Sequence, residues 1–198
     1  MAFKGVAEEM SRLEPARWLA AVKTRPDVAE LHLDAPEPPQ KIINEDIDVL
    51  NDGERKVEFR YFGWGHTRGD GYVYLPKEQV LCTGDAVVNG PYNNLKDANI
   101  ANWPDVLAKV AKLKIKFVLP GHGLMGGHEL IAGQEQFLRD LMQAVKKDID
   151  AGMTLEAIQR TGVKVSAAAE PWASEASLKQ QIADAYQEIK QGKPRGDL

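Results

Sequence analysis

GYVYLPKEQVLCTG, residues 71–84, decides how the chain folds: two short apolar runs are joined by Pro76, Lys77 and Glu78. GYVYLP and QVLCTG are apolar on both faces, as strands deep in a sheet are, and the short joint predicts a hairpin. FVLPG, residues 117–121, repeats this continuous apolar character. Upstream, DIDVL (46–50) and RKVEFRYF (55–62) flank Asn51, Asp52 and Gly53, a turn signature between alternating runs that predicts another hairpin. Val57, Phe59 and Tyr61 share one side of that strand, opposite Lys56, Glu58 and Arg60, so the apolar side is expected to be the buried one.

Helical patterns surround these strands. Val6, Met10 and Leu13, then Trp18, Leu19 and Val22, recur at helical spacing, and Pro15 suits the first turn of a second helix, so two short helices are expected to meet there and end at Arg25 and Pro26. AELHLD (29–34) reads as a strand and the run from Ala35 as an extended connector whose prolines cannot donate ladder hydrogen bonds. Pro104 opens a pattern through Val106, Leu107, Val110 and Leu113 that would lie against the sheet. Phe137, Leu138, Leu141, Val145 and Ile149 form a stripe ended by Gly152. Thr154 with Ala157 and Ile158 starts another helix, and Leu178, Ile182, Ala185, Tyr186 and Ile189 mark the last.

Composition bounds the reading. A chain of 198 residues with 43% hydrophobic content is expected to form one cored domain, with a helical lead-in and connector (1–45), a sheet with its loops (46–123) and C-terminal helices (124–198). A net charge of −4 offers no basic footprint for a phosphate backbone, so no nucleic-acid partner is expected. Cys82 is the only cysteine, which excludes an internal disulfide and a thiolate cluster. No run approaches the ~18 apolar residues of a membrane span, and MAFKGVAEEM has no signal-peptide core, so the chain as written is expected in the cytoplasm with no membrane partner.

Three glycine-rich loops, each after an apolar run, carry the candidate chemistry: GWGHTRGD (63–70), CTGDAVVNG (82–90) and LPGHG (119–123). Glycine lets the backbone turn sharply there and present a polar side chain at the end of the sheet. Those side chains are His66, Asp85 and His122, donors that zinc, iron and manganese accept from separate strand ends. His32 and His128 are read as structural, and Cys82 as an inert core thiol.

In order and content these stretches, together with NLKDANIANWPDVLAKV (94–110), resemble the later motifs of the metallo-β-lactamase superfamily from at least Asp46 to Leu141. The resemblance implies an α/β (α+β) fold, an αββα sandwich of which this chain would form a truncated half: a mixed sheet with C-terminal helices. It also implies a metal-dependent hydrolase in which His66 binds one metal, Asp85 bridges two and His122 binds the second. Asn94 would steady a substrate oxyanion, so Asp85 and Asn94 are the implied catalytic residues. Thr67 and Asp70 would orient His66, or Asp70 would simply cap its loop.

The family's HxHxDH motif is absent: the sequence has four histidines, no two separated by a single residue. The expectation is therefore an N-terminally incomplete domain, weak or inactive alone, holding at most one weakly bound zinc where a complete site holds one or two. The apolar strands need two covered faces while the helices cover one, so self-association or a complementary N-terminal half is expected as partner, besides a small-molecule substrate. A catalytically inactive fragment or assembly module is the alternative.

Overall fold

A computed structural model describes residues 1–31 and 34–198. Strand β1 (Ala2–Phe3) leads into helix α1 (Lys4–Thr24) and the single turn α2 (Pro26–Ala29). Strand β2 (Ile42–Ile43) pairs in parallel with β1. A five-stranded sheet follows in the order β3 (Ile47–Asn51), β4 (Lys56–Arg60), β5 (Tyr72–Leu75), β6 (Val80–Gly84) and β7 (Phe117–Pro120). The first four strands run antiparallel to their neighbours. The last pairs in parallel with β6, because α3 (Trp103–Val110) crosses between them and returns the chain to the same end. Helices α4 (Glu129–Asp150), α5 (Leu155–Thr161) and α6 (Glu175–Gln191) complete the chain. No helix among the described residues is long and apolar enough to cross a membrane.

The register assigns side chains to faces. Tyr72, Tyr74, Leu81, Thr83 and Val118 lie on one face and are buried under α3 and α4, against Trp103, Val106, Leu107, Ile131, Phe137 and Leu138. The opposite face carries Leu50, Val57, Phe59, Val73, Leu75, Val80, Cys82, Phe117 and Leu119, none of which is buried. Among the described residues Asp48, in register with Phe59 and paired with Lys41 at 3.3 Å, is the charged strand residue on this open face.

Both hairpins and the helix positions follow the sequence, and four details do not. First, α1 runs through Pro15 without a break, because Pro15 is exposed and costs the helix one amide donor without meeting a neighbouring layer. Second, the expected strand at AELHLD is not formed: Ala29 closes α2, Glu30 and Leu31 are in a turn, and His32 and Leu33 lie outside the described residues. Third, β4 has the reverse orientation. Glu58 is the buried residue, clamped by Lys56 at 2.7 Å and Arg60 at 2.6 Å, while Val57 and Phe59 face the open side. Burial pushes the Glu58 carboxyl up, and the two cations together outweigh it, so its pKa lies below the usual glutamate value. Fourth, Cys82 is in its expected strand but on the open face, half-buried, so it is not a core thiol.

Candidate functional site

The sheet ends, where β6 and β7 run side by side, form the site. Gly84, with φ of 51°, turns the chain out of β6 and delivers Asp85. β7 ends at Pro120, and the amide of Gly121 donates to the carbonyls of Gly84 (2.8 Å) and Val87 (3.1 Å), locking the two loops together. A side-chain carbon at Gly121 would overlap Oδ1 of Asp85, so glycine there makes room for the carboxylate. The next residue, His122, places Nε2 3.4 Å from that same Oδ1, and its ring leans on Tyr92 with centroids 5.6 Å apart. Both side chains are open to solvent, 54% for His122 and 40% for Asp85.

Buried groups hold the Asp85 loop from behind. Gln134 accepts from the amide of Val88 (2.7 Å) and donates to the carbonyl of Ala86 (3.1 Å), Trp103 Nε1 donates to the same carbonyl (3.1 Å), and Trp172 Nε1 donates to that of Val88 (2.8 Å). Sequence reading missed these supports. Their signal was a glutamine within the α4 stripe and tryptophans in polar company, since a buried amide or indole N–H needs a partner.

His66 also lies beside Trp103, its ring centroid 5.5 Å from the indole. Its loop is built around Asp70, whose buried carboxylate accepts from the amides of Gly65 (3.2 Å), His66 (2.7 Å) and Thr67 (2.8 Å) and from the Thr67 hydroxyl (2.7 Å). His66 Nδ1 is 4.0 Å from Asp70, beyond hydrogen-bond reach, so Asp70 caps the loop and Thr67 acts through it. Burial pushes the Asp70 carboxyl up, against the hydrogen bonds from Thr67.

The structure thus brings Asp85 and His122 within 3.4 Å of each other, while His66 packs beside Trp103. Among the described residues no three His, Cys, Asp or Glu side chains form a group able to hold a metal. The chemistry of the pair, imidazole nitrogen facing carboxylate oxygen, suits a zinc-type ion; two donors fall short of the three or four protein ligands of a resident one. Asn94 is exposed and accepts from the Lys96 amide (3.1 Å), a local turn contact. Its neighbour Asn93 is buried, with both side-chain polar atoms unpartnered. His128 precedes α4 and contacts the Ala111 carbonyl at 2.9 Å. A cavity of about 540 Å³ lies elsewhere, between Asp46, Arg60, Tyr61 and Lys109.

A sheet flanked by helices, with histidine and aspartate on the loops at its strand ends, defines a class, and comparison with known proteins places the chain within it. The family model of the metallo-beta-lactamase superfamily matches residues 3–122, and the chain belongs to that superfamily. It is 32% identical over 114 residues to a metallo-beta-lactamase type 2 of Bacteroides fragilis, covering 55% of this chain and 45% of that protein. A second relative of the same description, from Pseudomonas aeruginosa, is 33% identical over 100 residues, covering 47% and 39%. The chain therefore spans less than half the length of these curated relatives. A stereoselective inverting sec-alkylsulfatase from a Pseudomonas species superposes with a TM-score of 0.63 at 17% identity, over 78% of this chain and 27% of that one, a likeness of fold.

Proposed function

We propose that the chain is the strand-end portion of a metal-dependent hydrolase, with Asp85 and His122 as ligands to one zinc-type ion and His66 as a ligand position for a second. The contact of Asp85 Oδ1 with His122 Nε2 at 3.4 Å carries this reading, because ligands sharing an ion must bring their donor atoms to one point. Further ligands would come from residues outside these 198. In a completed site the ion would supply a bound water of lowered pKa for attack on an ester, lactam, lactone or thioester. The names of the relatives point to lactams and sulfate esters as first substrates to try. Within the chain, Gly121 admits the carboxylate, and Gln134 and Trp103 keep the loop from moving away.

Isothermal titration with zinc chloride tests the ligand assignment. One ion with a Kd of about 1–100 µM is expected, weakened at least ~10-fold in Asp85→Ala and in His122→Ala. Wild type and both variants indistinguishable would sink the proposal. Hydrolysis of a chromogenic lactam and of a nitrophenyl ester, with and without zinc, is expected to be weak, since even ~1 Å of misplacement costs a hundredfold. The alternative, a binding or assembly module, is favoured by one observation: the open apolar face of the sheet.

A further inference from the structure

We propose that Asn89 is the positioning residue for Asp85 and His122, a clasp that holds the His122 loop against the Asp85 loop. It rests on the ligand assignment of those two residues and extends it to a third that binds no metal. After β7 the chain passes through Gly121, His122 and Leu124 and returns to the sheet at Gly126, which exchanges two backbone hydrogen bonds with Val118 (2.8 and 3.1 Å). Residues 121–125 are all exposed, so within this chain hydrogen bonds and not burial hold the loop. Gly121 anchors its start and Gly126 its end. Between those anchors Asn89 holds it at two points. Its amide donates to the His122 carbonyl (2.9 Å), and its side-chain Nδ2 donates to the Leu124 carbonyl (2.8 Å).

One bond fixes the carbonyl of the histidine itself and the other the carbonyl two residues on, so together they set the direction in which the imidazole leaves the backbone. A carbonyl faces the Asn89 side chain, so only the amide nitrogen can serve there. The two loops approach too closely for a side chain between them: a carbon on Gly123, at φ of 86°, would overlap the Asn89 carbonyl. Asn89 follows Ala86 and Val88, whose backbone is tied to Gln134, Trp103 and Trp172. The clasp therefore passes the rigidity of that buried support on to His122, and keeps its Nε2 3.4 Å from Oδ1 of Asp85. Aspartate at position 89 would keep the shape and remove the donor, setting a carboxylate oxygen against the Leu124 carbonyl. Charge and positioning then predict opposite signs. A carboxylate added to the Asp85 loop would tighten the binding of a cation by charge alone, whereas loss of the clasp weakens it.

Asn89→Asp and Asn89→Ala test this in metal-free protein and with zinc chloride. Asn51→Asp, the same exchange at the exposed turn between β3 and β4, is the reference. Without metal, the amides of residue 89 and of Gly121 should lose about fivefold of their protection from deuterium exchange in both variants, while those within β6 keep wild-type protection. The His122 imidazole signals should lose the shift imposed by the Tyr92 ring stacked on it. With metal, isothermal titration should show the zinc Kd raised about fivefold in both variants, Asn89→Asp included. Asn51→Asp should match wild type in every measurement. Unchanged protection and His122 signals, an unchanged zinc Kd, or tighter binding by Asn89→Asp would overturn the proposal. So would an equal loss of protection throughout the sheet, because that reports general stability and not the placing of one loop. If wild type itself binds no zinc, the ligand assignment falls, and the metal-free measurements decide the clasp on their own.

Discussion

The same five strands make both faces of the sheet, and the two faces meet opposite fates. On one, Tyr72, Leu81 and Val118 are fully buried; on the other, Leu50, Phe117 and Leu119 remain 50%, 37% and 39% exposed. Apolar content does not separate them, since the open face is the more uniformly apolar and the closed face includes Glu58, Arg60 and Thr83. Supply of a cover does. The amphipathic helices α3 and α4 form one layer, and one layer covers one face. Alternation along a strand tells which residues share a face; it does not tell which face receives a partner.

The largest expected difference is in truncation. Trp103 is fully buried between the sheet and the two site loops, and its indole N–H holds the Ala86 carbonyl. Trp103→Ala should cost about 3–5 kcal/mol, whereas Phe59→Ala on the open face should cost less than half of that. Urea unfolding at low protein concentration measures both. Equal losses would break the comparison, because they would mean the open face is packed as tightly as the closed one.

A second test addresses the helix layer itself. Glu188 of α6 accepts from the amides of Ile100 (3.0 Å), Ala101 (2.7 Å) and Arg195 (2.7 Å), joining the C-terminal helix to the loop before α3. Glu188→Ala leaves those amides unpaired and should cost about 1–3 kcal/mol. Burial raises the Glu188 carboxyl above its ordinary value despite these three donors. The folded state therefore holds this proton more tightly than the unfolded state. Its contribution to stability is complete below the unfolded pKa and is lost as pH rises through the folded one. Unfolding midpoints from about pH 4 to about pH 7 should show that decline, and Glu188→Gln, neutral throughout, should flatten it.

Much of this was legible in the residues. Asn51, Asp52 and Gly53 announced one hairpin and Pro76 to Glu78 the other, because turns depend on local chemistry. The three loops and their Asp85, His66 and His122 were read from glycine placement, and the 3.4 Å contact between Asp85 and His122 gives two of them a common location. What failed was non-local. The face of β4 was misread because Glu58 is stabilised by Lys56 and Arg60 on its own strand, so a charged residue took the closed side. His66 packs beside Trp103, which lies 37 residues further along the chain and whose indole also holds the Asp85 loop through the Ala86 carbonyl. Pro15 misled for a different reason: an exposed proline breaks a helix only when the lost hydrogen bond decides the balance.

The smallest expected effect discriminates most sharply, because one chemical change is made on each face. Valine to threonine exchanges a methyl for a hydroxyl at nearly constant volume, so the cost reports whether water or a partner is in reach. Val118→Thr, fully buried under the helices, should lose about 1–3 kcal/mol. Val73→Thr, half-buried on the open face, should stay within about 0.5 kcal/mol in dilute solution. A cover over that face would raise the Val73→Thr cost and leave the Val118→Thr cost unchanged, since only the former hydroxyl would lose its water. A Val73→Thr cost equal to that of Val118→Thr even in dilute solution would show that the two faces are closed alike.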